Sequence, residues 1–154
     1  MKTFILDVDG VMTDGKFTYT VDGKISKVFG PDDSDGLLIL KDLLKIAFVS
    51  ADKRGFSISQ KRIEEDMGYD LSLVSSSERI NWIQKNYDLK ETIYMGDGFN
   101  DHLVFQKVGY SIATEDALDH VKYNADFITS RRGSERAVAE ACLHIKENLF
   151  NGIE

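Results

Sequence analysis

Two short acidic motifs lie far apart along this chain. Asp7 and Asp9 end an early apolar run, and Asp97 and Asp101 belong to the run Gly-Asp-Gly-Phe-Asn-Asp at 96–101. Four carboxylates that meet would repel each other strongly unless a cation lay between them. An oxygen-only donor set, without a cysteine or a histidine pair beside it, favours a hard cation, Mg²⁺ before Ca²⁺ or Mn²⁺. A metal held in this way normally binds a substrate phosphate, so these residues predict phosphoryl chemistry.

The apolar pattern around these motifs alternates between strands and helices. Predicted strands lie at 2–9, 46–49, 71–74, 92–95, 110–113 and 126–129. Predicted helices lie at 35–45, 57–67, 77–87, 103–108, 115–123 and 134–149. This alternation predicts an α/β fold, a Rossmann-like doubly wound parallel sheet with helices on both faces. Ligands bind such sheets at the carboxyl ends of the strands, which is where the acids and Ser50 come.

Residues 17–29 interrupt this alternation. They form two alternating apolar runs around an Asp22-Gly23 turn, which is typical of a β-hairpin. We expect one domain over 1–150 that carries this hairpin, followed by a loose tail at 151–154.

The composition excludes several classes of protein. The chain has 154 residues, of which 42% are hydrophobic and 29% charged, as in one soluble globular domain. Its formal charge of −7 argues against a nucleic-acid partner. Cys142, the single cysteine, cannot form an internal disulfide, and the three histidines share no metal-ligand spacing. No apolar run approaches about 20 residues, so we expect no membrane partner and no signal peptide, and a cytoplasmic location.

Four motifs, in order, resemble those of the haloacid dehalogenase superfamily. They are D-V-D-G-V-M-T-D-G at 7–15, a strand-end Ser50, a basic residue in the 75–79 turn, and G-D-G-F-N-D at 96–101. The D-x-D-G-V-x-T-D-G form, the early hairpin and the absence of a cap domain resemble 3-deoxy-manno-octulosonate 8-phosphate phosphatase and related keto-sugar-acid phosphate phosphatases. The similarity extends to about Leu149.

This resemblance implies a Mg²⁺-dependent phosphoric monoester hydrolase. Its substrate would be a small phosphorylated sugar acid, of the 3-deoxy-manno-octulosonate 8-phosphate type or the nine-carbon keto-acid 9-phosphate type. The resembling enzymes associate into tetramers through their projecting hairpins, and a neighbouring subunit helps to close each site. We therefore expect a homotetramer, because an isolated ribbon that exposes apolar side chains is marginally stable in water.

The resemblance also implies a role for each matching residue. Asp7 would be the nucleophile that forms an aspartyl phosphate, and Asp9 would be the general acid and then the general base. Arg79 stands where the family has a lysine, and its charge would restrain the phosphate and Asp7. The metal ligands would be Asp7, Asp97 and the backbone carbonyl of Asp9, and Asp101 would hold metal-bound waters.

The resemblance further implies contacts with the phosphate and the substrate. The residues expected to make them are Gly10, Ser50, Ala51, Lys53, Arg54 and Arg136. The family usually has Thr-Gly-Arg where this chain has Ser-Ala-Asp at 50–52, so the two cations that follow would replace the missing arginine. Arg136 would meet a substrate carboxylate.

Two other functions are compatible with the acidic motifs. One is a weakly active or non-catalytic regulatory or scaffold domain, associated with a sugar-acid cytidylyltransferase, that binds metal and phosphate through Asp7 and Asp9. The other is a phospho-accepting receiver domain, which is also α/β with acids at one edge. The receiver domain is disfavoured because no separate strand-end phospho-acceptor with a matching lysine strand is found in the sequence.

Overall fold

A computed structural model describes residues 1–151 of the chain. The strands are β1 (Thr3–Asp7), β2 (Thr13–Thr20), β3 (Gly23–Phe29), β4 (Lys45–Ser50), β5 (Asp70–Leu73), β6 (Thr92–Gly96), β7 (Tyr110–Ala113) and β8 (Phe127–Ile128). The helices are α1 (Asp33–Leu38), α2 (Phe56–Gln60), α3 (Arg79–Asn86), α4 (Asp101–Phe105), α5 (Asp119–Lys122) and α6 (Ala137–Leu149). A wider π-helical turn, Lys61–Asp66, continues α2.

Six of the strands form one parallel sheet in the order β5-β4-β1-β6-β7-β8. From β1 the chain fills one side of the sheet, through β4 and β5, and then crosses to the other side, through β6, β7 and β8. The strand order therefore reverses at β1, and the carboxyl ends of β1, β4 and β6 border the crevice where such sheets bind ligands. This sheet confirms the predicted α/β fold.

Apolar side chains cover both faces of the sheet. Along β1, Phe4 and Leu6 pack on one face with Ala141 of α6, and Ile5 packs on the other face with Ile83 of α3. All five side chains are fully buried. Successive strand residues point to opposite faces, so a run that is apolar throughout, as this one is, requires helices on both sides.

The hairpin β2–β3 forms a separate two-stranded antiparallel sheet. It begins at Thr13, earlier than the predicted residue 17, and ends at the predicted residue, Phe29. The hairpin follows the carboxyl end of β1, and its Phe17 and Lys24 lie at that edge of the sheet.

Several predicted helices are shorter in the structure. The helix expected at 115–123 covers only Asp119–Lys122, because Leu118 before it has extended backbone angles. The helix expected at 35–45 ends at Leu38, and turns lead from there to β4, which begins at Lys45 opposite Thr3 of β1. The helix expected from 134 begins at Ala137, because Ser134 and Arg136 have left-handed φ angles of 67° and 72° that no α-helix accommodates.

The extent of the domain, 1–150, remains a prediction, and the predicted tail falls largely on residues 152–154, outside the described residues. Within 1–151 no helix combines the length and the apolar character that crossing a bilayer requires.

Candidate active site

Three adjacent strands bring the predicted site residues to one edge of the sheet. β1 ends at Asp7, its neighbour β4 ends at Ser50, and its other neighbour β6 ends immediately before Asp97. The loop after β1 touches the loop after β6 at Gly10, where φ is 82° and a β-carbon would collide with the carboxylate of Asp97. Glycine is required at this position both for the backbone angle and for the close approach.

Asp7, Asp97 and Asp101 form a compact acidic group in which one carboxylate oxygen from each residue lies within 4.8 Å of the others. Burial raises the pKa of Asp7 to about 7, although Arg79 opposes the shift. Burial, with the charges of Asp7 and Asp101, raises the pKa of Asp97 to about 8. Oδ1 of Asp97 is buried without a hydrogen-bond partner. These observations describe a set of hard oxygen donors with an excess of negative charge, which a divalent cation would fit.

Arg79 supplies the positive charge beside Asp7. Its Nη1 donates to Asp7 Oδ1 at 3.2 Å and to the Tyr94 hydroxyl at 2.9 Å, and its Nη2 donates to the Val74 carbonyl at 3.1 Å. Burial alone would lower the pKa of Arg79, but Tyr94, Asp7 and Asp101 together raise it above its ordinary value. The guanidinium therefore stays charged in this 3% exposed position.

Asp101 is held by donors from the protein. Its Oδ1 accepts a hydrogen bond from the Tyr94 hydroxyl at 2.8 Å, and its Oδ2 accepts one from the backbone N–H of Gly98 at 2.8 Å. Asp97 has no such donor at Oδ1. This difference is the one expected if Asp97 binds the cation directly and Asp101 acts through water, although the metal-binding roles remain predictions.

Asp9 lies apart from the acidic group. Its Oδ2 accepts a hydrogen bond from Ser50 Oγ at 3.0 Å, and its Oδ1 is 2.7 Å from the Lys27 ammonium. Ser50 Oγ also accepts a hydrogen bond from the backbone N–H of Asp52 at 3.1 Å. The strand-end serine therefore contacts the predicted acid and base residue in this structure.

A pocket of about 300 Å³ opens above the acidic group. Its lining residues are Asp7, Asp9, Gly15, Phe17, Lys24, Ala51, Asp52, Ser76, Arg79, Gly98, Phe99, Asn100 and Asp101. Phe17 and Lys24 come from the hairpin, and Phe99 and Asn100 come from the loop after β6. The pocket thus lies between the hairpin and the two acidic loops.

The structure does not bring all the predicted substrate-binding residues to this pocket. Lys53 and Arg54 line a neighbouring depression that shares Phe17 and Lys24 with it. Arg136 is half exposed, and its guanidinium pairs with Asp32 at the start of α1. Contact between these three cations and a substrate remains a prediction.

The backbone N–H groups predicted to hold the phosphoryl oxygens differ in their surroundings. The N–H of Gly10 donates to Thr13 Oγ1 at 3.0 Å, whereas Ala51 is exposed at the pocket wall. Their phosphate contacts remain predictions too.

Sequence reasoning missed three residues that contact the predicted ones: Thr13, Lys27 and Tyr94. Thr13 Oγ1 accepts hydrogen bonds from two glycines of the first motif, and its place inside that motif was a usable signal. Tyr94 was recognisable as an aromatic residue with a polar tip in an otherwise apolar strand. Lys27 gave no signal, because the alternation places it on the face of Ile25 and Phe29 and does not show what its ammonium contacts.

Comparison with known proteins shows the same relationship in sequence and in structure. A sequence profile of haloacid dehalogenase-like hydrolases matches residues 81–142. A 3-deoxy-D-manno-octulosonate 8-phosphate phosphatase of Haemophilus influenzae is 32% identical over 146 residues, covering 91% of this chain and 79% of that protein.

Solved structures agree. The cobalt-bound form of the Haemophilus influenzae deoxy-D-mannose-octulosonate 8-phosphate phosphatase superposes with a TM-score of 0.83 at 30% identity, covering 96% of this chain and 88% of that one. A probable phosphatase of Pseudomonas syringae superposes with a TM-score of 0.86 at 27% identity, covering 99% of this chain and 88% of that one.

The parallel sheet and the acidic group at its carboxyl edge are thus those of a haloacid dehalogenase-like hydrolase, a phosphoric monoester hydrolase. Within that class, the chain belongs to the family of the 3-deoxy-D-manno-octulosonate 8-phosphate phosphatases.

Proposed function

We propose that this protein is a magnesium-dependent phosphatase that removes the phosphate of a small keto sugar acid through an aspartyl-phosphate intermediate. The observation that carries the proposal is the acidic group of Asp7, Asp97 and Asp101 beside the Arg79 guanidinium. A carboxylate between a cation site and an arginine is placed to attack a phosphorus atom whose oxygens are neutralised from both sides.

The proposed reaction has two steps. In the first, an oxygen of Asp7 bonds to phosphorus, the ester bond to the sugar oxygen breaks, and Asp9 gives its proton to that oxygen. In the second, water attacks phosphorus and gives a proton to Asp9, and the bond between phosphorus and Asp7 breaks to release phosphate. Asp9 lies two residues beyond Asp7 and lines the same pocket, as this double role requires.

The residues that would hold magnesium are Asp7, Asp97 and the backbone carbonyl of Asp9, with Asp101 reaching it through water. When bound, the cation neutralises the phosphoryl charge that the carboxylates would otherwise repel. Magnesium is favoured over softer metals because every candidate ligand is an oxygen.

The proposed substrate class comes from the relatives, whose names specify an eight-carbon sugar-acid phosphate. The pocket of about 300 Å³ has the size of a small-molecule site, and its wall holds both apolar Phe17 and cationic Lys24. This mixture suits a substrate that carries a carbon chain and an anionic group. A cytoplasmic location and the absence of a nucleic-acid partner remain predictions from composition.

Phosphate release from a panel of phosphomonoesters, including eight- and nine-carbon keto-acid phosphates, tests the proposal. The unaltered protein with Mg²⁺ is expected to hydrolyse at least one of these, and Asp7→Asn and Asp9→Asn to lose about 10²- to 10⁴-fold in kcat. Asp70→Asn, at the amino end of β5 and exposed, is the matched control and is expected to retain activity. Equal, negligible rates for the unaltered protein and Asp9→Asn would instead favour the regulatory or scaffold domain.

Thermal unfolding tests the metal. A saturating Mg²⁺ concentration, about 100 times its dissociation constant, is expected to stabilise the protein by about 3 kcal/mol. Asp97→Asn is expected to lose this gain, and Asp70→Asn to keep it. A stabilisation that is unchanged in Asp97→Asn would place the cation elsewhere.

We also propose that the hairpin joins four copies of the chain. Its exposed apolar residues are Phe17, Tyr19, Val21, Ile25 and Val28. A separate two-stranded sheet with this many uncovered side chains needs a partner surface, and other hairpins of the same chain offer a self-complementary one.

A further inference from the structure

Lys27 is almost completely buried although it belongs to a hairpin whose apolar side chains are largely exposed. Its side chain is 1% exposed, whereas Ile25 and Val28 on the same strand are 55% exposed. The ammonium lies 2.7 Å from Asp9 Oδ1 and 3.0 Å from Asp52 Oδ2, and it donates to Ser59 Oγ at 2.8 Å. One hydrogen bond and two ion pairs thus surround the ammonium and hold it in one place.

Together with Ser50, Lys27 fixes both oxygens of Asp9. Ser50 Oγ donates to Oδ2 at 3.0 Å, and Lys27 holds Oδ1. A free aspartate side chain on a loop would rotate among several rotamers, and only some of them direct its oxygens toward a leaving group. Two charged or polar contacts on opposite oxygens remove that freedom.

Asp52 anchors this arrangement to the hairpin. Its Oδ2 accepts a hydrogen bond from Lys24 at 2.7 Å, and Lys27 lies 3.0 Å away. Burial would raise the pKa of Asp52, but the hydrogen bonds from Lys24 and Lys27 outweigh it and lower the pKa to about 2. Asp52 is therefore ionised at neutral pH, and it is a counter-ion for hairpin lysines at the position where the family usually has an arginine.

We propose that Lys27 is a positioning residue that orients Asp9 for proton transfer, which makes the hairpin a part of the active site of its own subunit. The inference rests on the proposed function, since it assigns Asp9 an acid and base role. It goes further because it assigns the hairpin a role in catalysis in addition to its proposed role in subunit association. A purely structural ion pair would stabilise the hairpin without acting through Asp9.

A double-mutant cycle separates these two roles. The variants are Lys27→Met, Asp9→Asn and the pair combined, each assayed with Mg²⁺ on phenyl phosphate and on p-nitrophenyl phosphate. Lys27→Met is expected to lower kcat on phenyl phosphate by about 10- to 100-fold with a smaller change in KM. The loss is expected to be smaller on p-nitrophenyl phosphate, whose better leaving group needs less protonation. In the Asp9→Asn background, Lys27→Met is expected to have no further effect.

Lys16→Met is the control, because it makes the same substitution at an exposed lysine of the same hairpin, and it is expected to retain kcat. If Lys27→Met does not fold, Lys27→Gln, which is one atom shorter and polar but carries no charge, takes its place in the cycle. The inference would be overturned if Lys27→Met lowered kcat by the same factor in the unaltered protein and in Asp9→Asn. Failure of the unaltered protein to hydrolyse either aryl ester or any phosphomonoester of the panel is a different result, which would refute the proposed function and the role of Lys27 with it.

Discussion

At the scale of single residues, Arg79 shows what a buried guanidinium requires of its surroundings. A lysine presents a single ammonium, whereas the guanidinium is a planar fork that needs acceptors in several directions. The structure supplies them through Asp7, the Tyr94 hydroxyl and the Val74 carbonyl. Tyr94 connects the two charged residues, because its hydroxyl accepts a hydrogen bond from Arg79 and donates one to Asp101.

Tyr94→Phe tests that role. The variant keeps the aromatic packing but leaves a buried guanidinium and a buried carboxylate each without one partner. We expect the free energy of unfolding to fall by about 1–3 kcal/mol and kcat to decrease. Urea denaturation measures the first quantity. Tyr123→Phe, at a position 86% exposed, is the control and is expected to change neither; equal effects of the two variants would contradict the hydrogen-bonded role of Tyr94.

At the scale of secondary structure elements, one aspartate of α1 completes the amino end of α6. Arg136, which precedes α6, provides no side-chain cap. Asp33 of α1 instead accepts a hydrogen bond from the backbone N–H of Ala139 at 3.0 Å, and its side chain is almost fully buried. The first turn of a helix leaves N–H groups without partners inside the helix, and a carboxylate satisfies them. The two helices are thereby joined by a polar contact as well as by packing.

This arrangement predicts a pH dependence of stability. Burial raises the pKa of Asp33 to about 6, with Asp32 raising it further, while the N–H of Ala139 and the charge of Arg136 oppose the shift. Because folding raises this pKa, the contribution of Asp33 to stability is fully present below about pH 4 and is lost as the pH rises through about 6.

Asp33→Asn removes that titration, since an amide can accept the same hydrogen bond without a charge. From pH 4 to pH 7.5, the free energy of unfolding of the unaltered protein is expected to fall relative to that of Asp33→Asn by about 2–3 kcal/mol. Denaturant titrations at a series of pH values measure the difference. Asp70→Asn serves as the control. If the difference in free energy of unfolding between the unaltered protein and Asp33→Asn did not change with pH, the pKa of Asp33 would not be raised by folding.

The connection from β8 to α6 holds two side-chain-bearing residues, Ser134 and Arg136, in the left-handed region. Glycine adopts this region without a steric penalty, so Ser134→Gly is expected to raise the free energy of unfolding by about 1 kcal/mol. Ser57→Gly, at an exposed position of α2, is the control and is expected to lower it by about 0.5 kcal/mol, because glycine is a poor helix former. Thermal or urea unfolding shows whether the two changes differ in sign.

At the scale of the whole molecule, the hairpin has two sets of contacts. Its buried lysines reach Asp9 and Asp52 in the same chain, and its outer apolar side chains are uncovered. An assembly through these apolar side chains would hold the ribbon in place and thereby hold Lys27 against Asp9. Association and activity are therefore expected to change together.

Ile25→Asp tests the assembly. Static light scattering of the unaltered protein is expected to give four times the chain mass of 17.4 kDa, and Ile25→Asp to give a smaller species, because a buried unpaired carboxylate opposes association. Leu143→Asp, at a similarly exposed position on α6, is the matched control and is expected to stay tetrameric. A monomer of the unaltered protein at micromolar concentration would refute the tetramer.

The sequence by itself determined the α/β fold and the positions of its acids, for a local reason. Apolar periodicity and strand-end motifs are properties of neighbouring residues, so Asp7, Asp97 and Ser50 could be assigned to strand ends before any contact was known. The ends of the helices could not be predicted as well. α6 begins at Ala137 because Ser134 and Arg136 have left-handed backbone angles, and serine and arginine are not residue types that indicate such angles.

Only the tertiary structure decided which residues surround those acids. Lys27 reaches Asp9 because the hairpin folds back over the carboxyl edge of the sheet, and Arg136 pairs with Asp32 because the starts of α1 and α6 meet. Both contacts join residues that are distant in sequence, and a pattern of neighbouring residues does not show which distant residues will meet. The chain's own residues specify each element, but the packing of the elements selects the partner of each charge.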